Sequence, residues 1–307
     1  MKKSFKKKLS YYFSTKFTEL KESEVVQNFR LAPKRYLSII VNSTTVYIIT
    51  YLITLIVYNT TTVILGASYN IQMIYSFNKI LYITSGKANV WNQDSIITIF
   101  SFGPLITFFI GVICLILFIT QHRKYNDYLQ FYVWGFIQVA NRIISLFVIG
   151  LIFTLWGSNL IVDWLYFDRD MKIIFSAFSI LLLLGIGSIS TTAIIYTADS
   201  PMIVKKESQR ITFLLSSAII PAILGNFMLF FLFIPKINFI EIAIAFSSII
   251  MLIPTLFGHK NFRVIEAVSI LGKDIRNEIF IIRRRNILFL IAFYIIYRVV
   301  FWKEFFI

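Results

Sequence analysis

The chain has 307 residues, of which 58% are hydrophobic and only 15% are charged. A soluble domain has about 25% charged residues, so this composition excludes an ordinary soluble protein and favours an all-α polytopic membrane protein. The net charge is +15, but the basic residues lie between apolar runs. We therefore expect them to set the topology and to contact anionic lipid headgroups, and we expect no nucleic-acid partner.

Residues 1–35 are predicted to form a cytoplasmic basic segment. Within it, residues 4–22 carry apolar side chains at helical spacing among lysines, which is typical of an amphipathic helix in the headgroup region. Lys6, Lys7 and Lys8 are predicted to anchor it to lipid headgroups, although the helix could instead pack on the protein's own cytoplasmic face. Charged residues interrupt the segment, so we do not expect a cleaved signal peptide.

Long apolar runs predict a transmembrane core over residues 36–257. Its six spans are 37–58, 95–119, 129–156, 171–196, 211–234 and 237–257. The last run, 286–302, is close to the lower length limit of about 17 residues for a span. We predict seven spans, with six spans plus a half-inserted C-terminal helix as the alternative.

The region 258–307 is predicted to combine that last run with a second interfacial helix over 260–284. The apolar residues of 260–284 fall on one stripe, and the charged residues fall on the other side. The run Arg283, Arg284 and Arg285 is predicted to anchor the last span at anionic headgroups.

The distribution of lysine and arginine predicts the orientation. Most of the 30 basic residues fall in the N-terminal segment and in alternate loops. This bias predicts a protein of the bacterial inner membrane whose N-terminus lies in the cytoplasm. The loop 60–94 would then lie outside. Its β-branched and aromatic residues around Ser76-Phe77-Asn78 predict a small hairpin at the membrane surface.

The predicted spans lack the side chains that known intramembrane enzymes use for catalysis. Zinc proteases need two histidines one helical turn apart, whereas His122 and His259 both fall in predicted loops. Ser188 follows a glycine-rich turn, but the spans contain no histidine or lysine that could activate it. All seven aspartates lie in loops, and Cys114 is the single cysteine. We therefore predict a protein without an enzymatic activity, a metal or a cofactor.

The second span contains the sequence Phe100-Ser101-Phe102-Gly103-Pro104-Leu105. This segment resembles the glycine-proline segment of site-2-type intramembrane metalloproteases, and the preceding hairpin-like loop is similar to the layout of that family over residues 40–160. The resemblance implies a scaffold that has lost its metal, because Val41-Asn42-Ser43-Thr44-Thr45 stands in place of the zinc-binding histidines. It also implies a protein that binds membrane substrates without cutting them. Alternatively, Gly103-Pro104 simply starts a membrane helix.

The third span carries a polar stripe in its middle. Trp134, Gln138, Asn141, Arg142 and Ser145 share one helical face. A charge at this depth is costly and usually faces the bundle interior.

We single out four of these residues, Gln138, Asn141, Arg142 and Ser145, together with Asn226 of the fifth span, as the candidate polar site. The nearest acidic residue is Glu241, about one turn inside the outer end of the sixth span, and Arg142 is expected to lie about 20 Å below that end. Direct pairing is therefore expected to need a shifted helix or a water-filled cleft, and Arg142 has no obvious counterion at its own depth.

Small residues predict close helix packing on two spans. Gly185, Ser188 and Thr192 line one side of the fourth span, and a second set next to Asn226 lines the fifth. Ala218, Ala222 and Gly225 form this second set. Pro221 is expected to kink the fifth span.

The sequence therefore leaves three functions open. The first is a subunit or scaffold of a membrane complex, in which another membrane protein meets Arg142. The second is a small transporter or flippase-like protein with a polar path at Arg142. The third is the inactive protease-like protein.

Overall fold

The computed structural model describes residues 33–82, 91–122, 128–154, 157–198, 201–204, 207–258, 282–302 and 305–306. The predicted N-terminal amphipathic helix, with Lys6, Lys7 and Lys8, and nearly all of the predicted helix 260–284 lie outside these residues.

The described chain is a bundle of long apolar helices with one small sheet. The helices are α1 (Pro33–Ser68), α2 (Gln93–Gln121), α3 (Leu129–Phe153), α4 (Ser158–Trp164), α5 (Arg169–Tyr196), α6 (Glu207–Leu214), α7 (Ile220–Leu232), α8 (Phe239–Leu252), α9 (Thr255–Gly258) and α10 (Arg284–Trp302). A 3₁₀ turn, Pro201–Val204, precedes α6, and a π-helical turn, Leu215–Ile219, joins α6 to α7.

Six helical segments are long and apolar enough to cross a membrane. They are Tyr36–Ser68, Gln93–Gln121, Leu129–Phe153, Arg169–Tyr196, Glu207–Leu232 and Phe239–Gly258. The protein is therefore an all-α polytopic membrane protein, and the six predicted core spans are confirmed with shifted ends. The first span is longer than predicted, because its helix continues to Ser68.

Helix α1 lies at the centre of the bundle. It contacts α2, α3, α7 and α10, and 67% of its span is buried, compared with 28% for α2 and for α5. The outward faces of α2 and α5 are rich in exposed apolar side chains, as a lipid environment requires. Polar side chains that α1 carries in its middle are therefore held inside the protein.

The predicted hairpin is confirmed. Strand β1 (Met73–Ser76) pairs antiparallel with β2 (Lys79–Tyr82), and Ser76 lies opposite Lys79 across the two-residue turn. Phe77 takes a left-handed conformation in this turn, with φ 43°. The short strand β3 (Phe305–Phe306) pairs with the other edge of β1, so the C-terminal end of the chain completes the sheet. We call this end of the bundle the hairpin face.

Helix α10 is 19 residues long and is not among the six segments that meet the length and composition expected of a span. Its ends nevertheless contact both ends of the bundle. The backbone N–H of Arg283 donates to Asn42 Oδ1 at 2.8 Å, and at the hairpin face Tyr297 donates to the Phe77 carbonyl. A seventh span remains a prediction, and α10 lies along α1 for most of the height of the bundle.

Two sequence-based interpretations of glycine and proline positions were wrong. Gly103-Pro104 does not start a helix, because Pro104 lies inside α2, and Gly103 faces Thr62 and Tyr58 of α1. On α5 the packing glycine is Gly187. A Cβ at Gly187 would lie 1.6 Å from the Met251 carbonyl oxygen of α8, whereas one at Gly185 would meet nothing within 4 Å. Ser188 and Thr192 are likewise exposed.

The fifth span packs as predicted. Ala218 and Ala222 are fully buried, and Gly225 lies against the ring of Tyr47. Pro221 is the second residue of α7 and lacks the N–H that would bond to the carbonyl four residues back. That carbonyl, of Ser217, accepts a hydrogen bond from Ser43 Oγ at 2.5 Å instead.

Candidate functional site

Arg142 and Glu241 form a buried ion pair between α3 and α8. The guanidinium donates from Nη1 to Oε1 at 3.1 Å and from Nη2 to Oε2 at 2.7 Å. The two side chains are only 2% and 5% exposed. This parallel two-bond geometry is the strong form of an arginine–carboxylate interaction.

The expectation that Arg142 has no counterion at its own depth was wrong, and the shifted helix that direct pairing requires is present. The expectation assumed that both helices end at the same depth. Instead, α8 begins beside the middle of α3, farther inside the bundle than the end of α3. The evidence is that Asn141 Nδ2 donates to the Ile244 carbonyl at 3.0 Å and that Ser145 Oγ lies 2.6 Å from Ser247 Oγ. Glu241 is then only about one helical turn from the level of Arg142, and the two long side chains close that distance.

Two tyrosines of α1 complete the surroundings of the pair. The Tyr51 hydroxyl donates to Glu241 Oε2 at 2.5 Å, and its ring centroid lies 5.2 Å from Arg142 Cζ. The Tyr58 ring centroid lies 6.0 Å from the same carbon. Both rings stabilise the cation through their π faces, so the guanidinium is enclosed by a carboxylate and two aromatic rings.

A second polar group lies farther from the hairpin face. The Tyr47 hydroxyl donates to Asn226 Oδ1 and lies 2.9 Å from Ser248 Oγ, while Asn226 Nδ2 donates to the Ala245 carbonyl at 2.7 Å. Trp134 Nε1 donates to Ser43 Oγ at 2.9 Å. This group joins α1, α3, α7 and α8, and it continues the line of polar contacts away from the ion pair.

The five residues singled out from the sequence fall in these two groups. Asn141, Arg142 and Ser145 surround the ion pair, and Asn226 belongs to the second group. Gln138 is 2% exposed and interacts with the Tyr47 hydroxyl, but its Nε2 has no hydrogen-bond partner. The structure therefore brings all five into one connected polar region.

The contribution of α1 to the polar region was not predicted from the sequence. Ser43, Tyr47 and Tyr51 recur every fourth residue, and Tyr58 follows on the same face. This spacing was available in the sequence, but tyrosine in an apolar run is commonly a packing residue and its hydroxyl gave no sign of a partner. From Ser43 to Tyr58 the polar face is about 22 Å long, which is most of the roughly 30 Å hydrocarbon core.

The arginines predicted to anchor the last span lie at the opposite end from the hairpin. Arg284 and Arg285 are exposed, and Arg285 Cζ lies 5.6 Å from the centroid of the Tyr128 ring. Arg283 is half-buried at the start of α10. These positions leave the two exposed guanidinium groups accessible, and their binding to lipid headgroups remains a prediction.

The hairpin carries two further tyrosines, of which Tyr75 is buried and Tyr82 is half-buried. Burial raises the pKa of the Tyr75 and Tyr82 hydroxyls above the ordinary value, because the phenolate would be desolvated there. Both therefore remain neutral hydrogen-bonding groups. Among the described residues, no group of three or more histidine, cysteine, aspartate or glutamate side chains could hold a metal ion.

Removing the Tyr51 hydroxyl is expected to lower the stability of the protein, because Glu241 loses a hydrogen bond. A Tyr51→Phe variant should lose about 1.5–3 kcal/mol of unfolding free energy, the usual contribution of a hydrogen bond to a charged group. The matched control is Tyr58→Phe, because Tyr58 meets the guanidinium through its ring and should change stability by less than about 0.5 kcal/mol. Unfolding in mixed detergent micelles measures both variants. Equal losses would contradict the role of the hydroxyl.

A comparison with protein-family models, curated proteins and solved structures found no match for this chain. The function is therefore inferred from the site itself.

Proposed function

We propose that this protein transports a small polar or charged solute across the membrane, with the polar region around Arg142 and Glu241 as its path. The observation that supports this most strongly is the buried ion pair. Ionised side chains inside membrane spans are costly, and they usually mark substrate or ion pathways.

Stability alone gives a weak reason for such a pair. Replacing a buried ion pair by apolar residues of similar volume is often neutral or stabilising, because desolvation offsets the attraction between the charges. Two ionised groups in the middle of six spans are better explained by a role that needs charge. A transport path needs groups that hold a polar solute and then release it.

The continuity of the polar face also favours transport. Ser43, Tyr47, Tyr51 and Tyr58 follow one another along α1, and α3, α7 and α8 supply polar partners at each level. A solute or a file of water molecules that separates α1 from α8 would meet hydrogen-bonding groups along most of the bilayer. A scaffold would need only packing contacts there.

A subunit role was expected because Arg142 had no obvious counterion within the chain. In the structure Arg142 is paired within its own chain, so this reason for a partner subunit no longer holds. Membership of a complex, the bacterial inner membrane and a cytoplasmic N-terminus remain predictions. In the proposed orientation the hairpin face is external.

Cysteine accessibility tests the path without knowledge of the solute. Cys114 is the single cysteine, so Cys114→Ser gives a background for single cysteines at Ser145 and Ser248, which are 2% and 0% exposed. Only a hydrated thiol ionises and reacts with a charged thiosulfonate reagent. We expect both positions to react in native membranes as the path opens, at least about tenfold faster than a cysteine in lipid.

The matched control is Leu181→Cys, on the outward face of α5, where Leu181 is 66% exposed. A thiol at Leu181 faces lipid and should remain unreactive. If Ser145→Cys and Ser248→Cys react no faster than Leu181→Cys, no water reaches the polar region and the transport proposal fails.

A further inference from the structure

The turn of the hairpin is buried, although loop tips normally lie at the protein surface. Ser76 and Phe77 are 0% exposed, and Asn78 is 1% exposed. We call Ser76, Phe77, Asn78 and Lys79 the hairpin tip. Because its residues are removed from solvent in this way, the tip is inserted into the bundle and fills a space between helices.

The hairpin points back into the bundle toward the ion pair. Strand β1 begins beside the last turns of α1, where a Cβ at Gly66 would lie 2.6 Å from Met73 Sδ. The tip reaches the start of α8, where Asn238 Nδ2 donates to the Asn78 carbonyl at 3.2 Å. Asn238 precedes Glu241 by three residues, or about 4.5 Å along the helix axis. The tip therefore lies on the hairpin side of the ion pair, about one helical turn away.

The ring of Phe77 belongs to an aromatic series that leads to the polar region. Its centroid lies 4.9 Å from that of Tyr297 and 5.9 Å from that of Phe233. The Phe233 ring in turn lies 6.3 Å from the ring of Tyr51, whose hydroxyl donates to Glu241. The apolar rings of Phe77 and Phe233 therefore stand between the hairpin face and the polar region.

Phenylalanine is an unusual residue for its position in the turn. Phe77 has φ 43°, and hairpin turns usually place glycine, asparagine or aspartate where φ is positive. A bulky side chain at positive φ strains the backbone. Strain of this kind occurs at switch regions and ligand clamps, where the surrounding structure holds it in place. The turn geometry does not explain a phenylalanine here, whereas the packing of its ring inside the bundle does.

The side chain of Asn78 adds a second cost to the inserted position of the tip. Both of its amide atoms are buried and lack a hydrogen-bond partner. A tip that moves out of the bundle would expose these atoms to water, which supplies the missing hydrogen bonds. Strain at Phe77 and desolvation of Asn78 therefore both favour movement of the tip away from the bundle.

Hydrogen bonds from two separate parts of the chain hold the tip in place. The Phe77 N–H donates to the Phe301 carbonyl of α10 at 3.1 Å, and Tyr297 donates to the Phe77 carbonyl. Lys236 Nζ, between α7 and α8, donates to Ser76 Oγ at 3.1 Å. These bonds join the hairpin to other elements, so they can break while the pairing of β1 with β2 stays intact.

We propose that the hairpin tip is the gate at the hairpin face of the transport path. In this structure the gate is closed, with the Phe77 ring packed against Phe233 and Tyr297. The gate opens when the tip moves out as a unit, which breaks its bonds to α10 and to the start of α8 and admits water and solute to the ion pair. This inference rests on the proposed transport function.

Removal of the Phe77 ring tests the gate. In the Cys114→Ser background, Phe77→Ala should make Ser145→Cys react with the charged thiosulfonate reagent at least about tenfold faster, because truncation of a buried phenylalanine weakens the closed state. The matched control is Leu81→Ala on the same hairpin. Leu81 is 41% exposed and lies outside the tip, so this variant should leave the rate unchanged. Equal rates in Phe77→Ala and Leu81→Ala overturn the proposal.

A milder pair of variants keeps the test valid if Phe77→Ala does not fold. Tyr297 and Tyr294 both lie on α10, and each donates its hydroxyl to a backbone carbonyl, of Phe77 and of Leu232 respectively. Tyr297→Phe releases the tip and should speed the reaction of Ser145→Cys about threefold to tenfold, the usual effect of one hydrogen bond. Tyr294→Phe loses a bond that does not involve the hairpin and should leave the rate unchanged. Equal rates, or the reverse ranking, contradict the gate.

A cysteine at Asn78 reports the movement of the tip directly. Asn78→Cys loses no side-chain hydrogen bond, and its thiol should react with the same reagent as the gate opens. The control for a thiol that stays buried is Ile195→Cys on α5, where Ile195 is 0% exposed. If the thiol at Asn78 reacts no faster than the thiol at Ile195, the tip stays inserted and the proposal is wrong.

The two proposals fail in different ways. If Ser145→Cys and Ser248→Cys react with the charged reagent but Phe77→Ala and Tyr297→Phe leave their rates unchanged, a water-filled path exists and the gate is wrong. If neither cysteine reacts faster than Leu181→Cys even in Phe77→Ala, the transport function is wrong and the gate falls with it.

Discussion

A Glu241→Gln variant is expected to lose about 3–5 kcal/mol of unfolding free energy, because it leaves the Arg142 cation buried without a counterion. The double variant Arg142→Met/Glu241→Gln removes both charges. Its stability should return to within about 1–2 kcal/mol of the wild type, or exceed it, since the desolvation cost disappears along with the attraction. Unfolding in mixed detergent micelles, followed by tryptophan fluorescence, measures all three proteins.

The matched control is the other ion pair of the described residues, Lys172–Asp163. Its side chains are 19% and 47% exposed, so water screens the interaction, and Asp163→Asn should cost no more than about 1 kcal/mol. If Glu241→Gln and Asp163→Asn cost the same, the Arg142 site is hydrated in the resting protein. That result would contradict an ion pair that is buried away from water.

Gly187→Ala is expected to cause the second large loss of unfolding free energy. The new methyl group would lie 1.6 Å from the carbonyl oxygen of Met251, and backbone atoms of α8 cannot rotate away as a side chain would. Helices α5 and α8 must separate, and overpacking of this kind costs about 1–3 kcal/mol or more. The same unfolding experiment measures the loss.

Gly185→Ala on the same helix should instead increase the unfolding free energy. Its methyl group meets nothing within 4 Å, and alanine is favoured over glycine inside a helix by about 1 kcal/mol. A gain at Gly185 together with a loss at Gly187 would confirm which face of α5 meets α8. Equal changes at the two positions would contradict this packing.

The spans were predictable because their signal is local. Each needs about 20 apolar residues in sequence, and the sequence shows such runs directly. The hairpin around Phe77 was predictable for a similar reason, since alternation and turn residues lie within ten positions. The short helix α4 was missed, because a seven-residue helix in a loop has no such periodicity. It is held by a tertiary contact, in which Ser158 Oγ donates to the Leu146 carbonyl at 3.1 Å.

Of the candidate site, only the residues on α3 were predictable in detail from the sequence. Arg142 stood out because a charge in an apolar run is visible in the sequence, and its stripe identified Asn141 and Ser145. Its partner did not stand out, because Glu241 lies near the start of its span, where a carboxylate is ordinary. The tyrosines of α1 were missed because their hydroxyl partners, Asn226 and Glu241, are about 180 residues or more away along the chain.

The sequence by itself therefore determined that this is a multi-pass membrane protein and that Arg142 lies inside it. Those facts follow from composition and spacing, which are properties of neighbouring residues. The tertiary structure decided that Arg142 is paired, that α1 provides the polar face, and that Gly187 rather than Gly185 packs against a neighbour. These depend on the depth at which α8 starts and on the rotation of each helix, and both are fixed by packing between residues far apart in the chain.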